Sequence, residues 1–217
     1  MLLSIDWKRA LLEYERSSPY NFSVIDDAID PAAIGTMHQE MLNSWAWRHK
    51  NWVVDHLHNN DPRGPNIDSY IDQLRSQVAI ECAGLSYKGH WGLLYRANER
   101  ARFHSDHADI TVTLWLTPHC HNLDENSGGM LISPRKRPEQ LAPEEYLNYE
   151  RVAEIMSDED VSNSIRIPYR QGRAVLFDSR NFHRTDDLAF RGRRPIRVKT
   201  HGSVLHAMLW AALAPAG

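Results

Sequence analysis

Cysteine is almost absent. Cys82 and Cys120 are the only two in 217 residues and no CxxC pair occurs, so neither a disulfide framework nor a zinc knuckle is expected to staple the fold. Long hydrophobic runs are missing too. Nowhere do eighteen apolar residues follow one another, and Met1-Leu2-Leu3-Ser4-Ile5-Asp6 lacks the apolar stretch of a signal peptide, which points to a soluble, cytoplasmic protein with no membrane association. Net charge is small, formally −3, so no nucleic-acid partner is expected. The local basic cluster from Arg191-Gly192-Arg193-Arg194 to Lys199 reads either as a solvated edge or as an anion pocket. Internal repeats and low-complexity tracts are also lacking. Gly128-Gly129 has no GxGxxG or GKS context, which sets aside a phosphate loop. Ser127 and Ser179 have no nucleophile elbow, which sets aside a serine hydrolase.

What is present supports one substantial core. The chain is 42% hydrophobic, and a single domain, 1–217, is expected. Trp7, Ala10, Leu11 and Tyr14 recur at helical spacing between Asp6 and Arg16. Asp30-Pro31 opens a second helix, with a side-chain acceptor at the N-cap and proline in the first turn, running through Ile34, Met37 and Met41 to about Trp45. A third helix is expected from Asp68 to about Cys82, with Tyr70, Leu74, Val78 and Ile80 on its apolar side. Trp45, Trp47 and Trp52 read as core packing rather than a stacking surface. Beyond Gly84 the texture changes to short β-rich runs: Tyr87–Arg96, Ile110–Leu116, Gly129–Ile132, Ser164–Pro168, Arg173–Phe177 and Ile196–His201. One inserted helix is expected from Pro143 to Met156. Helices in front and strands behind predict an α+β, mainly β fold, a sandwich or barrel over about 85–205 that residues 1–84 buttress as a helical support.

The chemistry concentrates in Phe103-His104-Ser105-Asp106-His107-Ala108-Asp109, directly ahead of the strand Ile110–Leu116. Alternate side chains of an extended segment face the same way, so His104 and Asp106 can offer an imidazole and a carboxylate to one ion. His107 and Asp109 form a competing pair. The first is preferred because Asp106 leaves a short turn before the strand, whereas Asp109 crowds against Ile110. His183, at the end of the β-rich run from Arg173, is the best third ligand. Two histidines and one carboxylate leave coordination positions open, as in non-haem Fe(II) oxygenases. His119-Cys120-His121 is too compact and proline-flanked to close on one ion without distortion.

In order along the chain, Tyr95 before His104-Ser105-Asp106, the strand and turn Val112–Pro118, the turn Ser127-Gly128-Gly129, and Gly172–Ser179 leading to His183 and a following arginine resemble the Fe(II)- and 2-oxoglutarate-dependent oxygenases. The likeness is to their prolyl-hydroxylase-like branch and spans about residues 85–205. It implies a double-stranded β-helix, the jelly-roll or cupin-like core of that superfamily, and iron held by His104, Asp106 and His183. In similar enzymes about eleven residues separate the metal histidine from an aromatic before the strand's leucine, the spacing of His104 and Trp115, which favours His104 over His107.

Cofactors implied by the resemblance are Fe(II), 2-oxoglutarate and O2, with ascorbate as a supporting reductant. Arg194, eleven residues after His183, is the first choice for the cosubstrate's far carboxylate. Arg193 and Arg197 remain open, because a one-residue register shift reverses which side chain faces inward. Tyr95 is a second cosubstrate contact, and Trp115 stands where relatives often carry tyrosine. The implied activity is hydroxylation of a small molecule, an amino acid or biosynthetic intermediate, with release of succinate and CO2. Asp106 opposes halogenation, since halogenating relatives lack this carboxylate. Protein side-chain hydroxylation and a catalytically silent β-barrel binding module are the competing readings.

Overall fold

A computed structural model of the protein describes residues 2–51, 55–95, 101–191 and 206–216. Three helices lead: α1 (Trp7–Arg16), α2 (Pro31–Asn43) and α3 (Pro65–Glu81), with strand β1 (Phe22–Ile25) between the first two. Sequence signals account for the first two starts. The Asp6 carboxylate accepts from Arg9 N at the head of α1, and Asp30 accepts from Ala32 N at the head of α2, with Pro31 in the first turn. Helix α3 starts earlier than its own residues suggest. Gly64 offers no side-chain cap, but the Glu40 carboxylate of α2 accepts from Asn66 N and Ile67 N at about 3 Å. A remote residue thus supplies the cap. Its buried stripe is Ile67, Tyr70, Ile71, Leu74 and Val78. Ile80, expected in that stripe, is exposed, because two residues past Val78 it falls on nearly the opposite side of the helix from the buried row.

Seven strands form the large sheet in the order β1-β8-β5-β10-β4-β3-β2, with β2 (Arg48–Asn51), β3 (Asp55–Asn59), β4 (Leu85–Tyr95), β5 (Ile110–Trp115), β8 (Ala174–Asp178) and β10 (His206–Pro215). Three more, β6 (Met130–Lys136), β7 (Ile165–Ile167) and β9 (Asn181–Thr185), form a small sheet in the order β7-β6-β9. All strand pairings among the described residues are antiparallel. Period-two alternation divides the core in two. Val112, Leu114, Ala174, Leu176, Ala207, Leu209 and Ala211 face the helices and pack against Met37, Met41, Tyr70 and Leu74. Trp115, Val175, Phe177, Met208 and Trp210 face the other way, toward Met130, Ile132 and Ile167 of the small sheet. Covered on both sides, β5 and β8 are buried at every position, including the polar Thr111, Thr113 and Asp178.

Several expectations need correction. Residues 1–84 are not only a helical support: they contribute β1, β2 and β3 to the large sheet. The hairpin β2–β3 was not foreseen, because Arg-His-Lys-Asn and Asp-His-Leu-His-Asn carry no apolar alternation and gain their pairing only by adding to the edge of β4. Trp45 is 80% exposed, so it is not a core residue, whereas Trp47 packs against the helix-side cluster. Trp52 lies outside the described residues.

The barrel also runs past 205, since β10 occupies the middle of the sheet; the expected strand Ile196–His201 lies outside the described residues. The single inserted helix is three short ones, α4 (Pro143–Tyr146), α5 (Tyr149–Ile155) and α6 (Asp158–Ser162). Asn148 and Ser157 break it by turning their side chains onto the N–H groups of Glu150, Arg151 and Asp160. Among the described residues no helix is long and apolar enough to cross a membrane.

Candidate metal centre

The two sheets meet at the HxD segment. His104 and His183 form an isolated antiparallel bridge, His104 N donating to His183 O at 3.0 Å and His183 N to His104 O at 2.8 Å. Asp106 is fixed by its own N–H, which donates to Ser179 O at 3.0 Å. These backbone bonds bring His104, Asp106 and His183 together, with one potential ligand atom from each lying within 4.8 Å of the others. His183 Nε2 is 3.5 Å from Asp106 Oδ2, and His104 Nε2 is 3.9 Å from Asp106 Oδ1. The His107-Asp109 pair is not in this cluster. His107 Nδ1 instead meets Tyr146 Oη at 2.6 Å.

Tautomers follow from backbone partners. A carbonyl only accepts, so His183 Nδ1–H donates to Asn181 O at 2.9 Å and His104 Nδ1–H donates to Arg102 O at 3.1 Å. In its neutral form each ring therefore presents a lone pair on Nε2. That of His183 is fully buried and has no hydrogen-bond partner among the described residues. Burial, then the neighbouring His183, pushes the His104 imidazole down to about 4. For Asp106, burial alone acts upward, but His183, His104 and the Thr111 hydroxyl outweigh it and hold the carboxyl below its usual range. A neutral His104 imidazole beside an ionised carboxylate is the protonation state that metal binding requires.

Around this triad stand residues that motif reading did not single out. Thr111 Oγ1 donates to Asp106 Oδ2 at 3.1 Å and lies 2.7 Å from Ser179 Oγ. Arg137 donates to the Asp106 carbonyl and sits 4.2 Å above the Tyr146 ring, bracing the HxD segment from β6. The alternation of β5 places Thr111 on the inner face, so it was discoverable; Arg137, from the far sheet, was not. Tyr95 is buried beside the triad, its hydroxyl 2.6 Å from Thr185 Oγ1, and burial pushes it up to about 12. Trp115 is buried, and its indole N–H finds no partner among the described residues. Arg193, Arg194 and Arg197 lie outside the described residues. His119-Cys120-His121 forms a 3-10 turn with no buried residue.

Two further histidines make the fold acid-sensitive. His206 is buried on the inner face, where burial and then His38 push it down to about 3. His58 is pushed to about 4 by burial and then by Lys50. Both are neutral when folded and bind a proton more readily when unfolded. Their contribution is therefore intact above about pH 6.5 and lost as pH falls toward 4 and 3, at up to about 1.4 kcal/mol per pH unit for each group. The metal-free protein should lose thermal stability steadily from pH 7 to 4.5, and His206→Asn should flatten that slope. Equal slopes in the two proteins would refute the assignment.

No protein-family model and no curated protein matches the sequence significantly. Solved structures do match in shape. A Pseudomonas putida prolyl-4-hydroxylase is 14% identical, with a TM-score of 0.62, over 97% of this chain and all of the other. The epimerase SnoN, solved with Fe3+, alpha ketoglutarate and nogalamycin RO, is 13% identical, with a TM-score of 0.61, over 97% of this chain and 86% of its own. HygX of Streptomyces hygroscopicus, solved with nickel, 2-oxoglutarate and hygromycin B, is 11% identical, with a TM-score of 0.58, over 96% of this chain and 87% of its own. The fold class is thereby defined: an α+β, mainly β chain with the double-stranded β-helix fold of the iron- and 2-oxoglutarate-dependent oxygenases.

Proposed function

We propose that this chain is an Fe(II)- and 2-oxoglutarate-dependent oxygenase that hydroxylates an unactivated C–H bond of a small molecule. The observation that carries the reading is the orphaned, fully buried Nε2 of His183 facing the Asp106 carboxylate, with Nδ1 committed to a backbone carbonyl. A buried polar atom without a partner is costly unless something absent from the polypeptide satisfies it. Two imidazoles and one carboxylate suit Fe(II) and leave positions open. His104, Asp106 and His183 would hold the iron, and Tyr95 and Trp115 would face the cosubstrate from the inner side of the large sheet. Arg194 is our choice for its far carboxylate.

When bound, iron and 2-oxoglutarate supply oxidative decarboxylation to succinate and CO2 and transfer of one oxygen atom from O2 to the substrate. The chain's own part is geometric and electrostatic. The 104–183 bridge fixes both imidazoles, Thr111 and Ser179 fix the carboxylate, and Trp115, Phe177 and Trp210 keep the inner face dry. A cavity of about 320 Å³ opens beside His104, Asp106 and Tyr95 and is sized for a small molecule.

The test is anaerobic addition of Fe(II) and 2-oxoglutarate, followed by a screen for succinate release and a one-oxygen mass gain. A weak visible charge-transfer band is expected. Iron bound without that band would sink the cosubstrate assignment.

A further inference from the structure

The register of the large sheet sets three rows of side chains on its inner face. Lys50, His56, Tyr95 and His206 stand opposite one another across β2, β3, β4 and β10. The next row holds His58, Leu93, Met208 and Trp115, and the third pairs Trp91 with Trp210. The β2–β3 hairpin thus extends the inner face beyond β4 and adds a cation and two imidazoles to a wall that is otherwise aromatic and aliphatic.

These rows border the 320 Å³ cavity beside the triad, and the only Lys, Arg, Asp or Glu side chains among the described residues that line it are Lys50 and Asp106. With a divalent ion and the 2-oxoglutarate dianion both in place the Asp106 end carries no net positive charge, so Lys50 is the cationic end that a ligand meets. Between them Trp91 and Trp210 stack at 6.0 Å with 15° between their planes, and the buried Trp210 indole N–H has no partner among the described residues. Burial holds His58 at about 4, so at neutral pH it contributes hydrogen bonding rather than charge. A neighbouring cavity of about 280 Å³ shares Lys50 and His58 and adds Arg48 and Arg63 against the single acid Asp61. Arg63 is itself paired with Asp61 and Asp68, and a cavity of about 590 Å³ on another side sets Lys50 beside Glu144 and Glu150, so the positive charge offered to an anion is that of Arg48 and Lys50.

We propose that the molecule oxidised at this site is an organic anion, its carboxylate held by Lys50 and its flat or ring-bearing apolar body lying along Trp91 and Trp210. This rests on the oxygenase reading. It adds the charge and shape of the substrate, which neither the triad nor the fold specifies.

The probes are 2-naphthoate and 2-naphthamide, equal in body and different in charge. Each is titrated calorimetrically into protein loaded with Zn(II) in place of iron and saturated with 2-oxoglutarate. Naphthoate is expected to bind at least tenfold more tightly than the amide. Lys50→Met should remove that advantage while leaving naphthamide binding as it was, which also shows that the variant is folded, and Trp91→Ala should weaken both.

Equal binding of the two probes, no naphthoate binding at millimolar concentration, or a preference that survives in Lys50→Met would overturn the proposal. So would competition between naphthoate and 2-oxoglutarate, which would assign Lys50 to the cosubstrate. Zn(II) and 2-oxoglutarate binding are measured first. Their failure, with a Lys50-dependent preference for naphthoate intact, would sink the oxygenase reading and leave the anion site standing.

Discussion

Asp106→Ala is expected to abolish the Fe(II)–2-oxoglutarate absorption band and lower divalent-metal affinity by more than 100-fold. Residues that merely orient ligands typically cost 10- to 100-fold when removed, and Asp106 is the only anionic group of the triad. Without it, two imidazoles with ring centroids 4.7 Å apart face the ion alone. The metal-free fold should survive, because the loss leaves only the Thr111 hydroxyl to re-pair, and Ser179 Oγ is already 2.7 Å from it. Asp109→Ala is the matched control and should leave metal affinity as it is. Cobalt titration read by visible absorption separates the two. Loss of binding in Asp109→Ala with retention in Asp106→Ala would overturn the assignment of the triad.

The largest expected effect on stability comes from Gly129→Ala. A Cβ at Gly129 would lie 1.9 Å from Ile167 O, 2.8 Å from Pro168 C and 2.8 Å from Tyr169 N. All three are backbone atoms, of β7 and the turn after it, so no side chain can swing aside and the small sheet must part. Overpacking costs about 1–3 kcal/mol where side chains can adjust; here a loss of about 3 kcal/mol or more is expected. Gly35→Ala is the comparison. Gly35 lies in α2 with nothing within 4 Å of the added methyl, and there alanine should stabilise by up to about 1 kcal/mol. Denaturant midpoints of the two variants should move in opposite directions. A Gly129→Ala midpoint at the wild-type value would show that the chain at the head of β6 does not approach β7 as described.

Local signals made much of this legible. Asp6, Asp30 and Pro31 announce two helices because their hydrogen bonds lie within three residues. The β-branched and aromatic residues of β5 and β8 announce two strands. What stayed hidden depends on partners far along the chain: Glu40 capping α3, Arg137 bracing the Asp106 carbonyl, and the polar hairpin β2–β3, stabilised only by an edge that β4 provides. The candidate site divides in the same way. His104 and Asp106 are two residues apart and readable as a pair; His183 joins them only through the inter-sheet bridge. Neither strand pattern nor composition placed Lys50 and His58 beside them, because the hairpin that carries both was itself unread.

Strand β10 has a consequence for how the molecule is made. It lies between β4 and β5, pairing His206–Pro215 with residues 85–95 on one side and with 110–115 on the other. Every other described strand precedes it in the chain. Until residues 206–215 emerge, β4 and β5 have no neighbour on the sides they later share with β10, and each presents an open strand edge, the usual template for aggregation. Contacts that span more than ninety residues also make closure slow. Commitment of the large sheet therefore waits for residues 206–215, and so does the candidate site, since Tyr95 and Trp115 sit on the two strands that β10 joins.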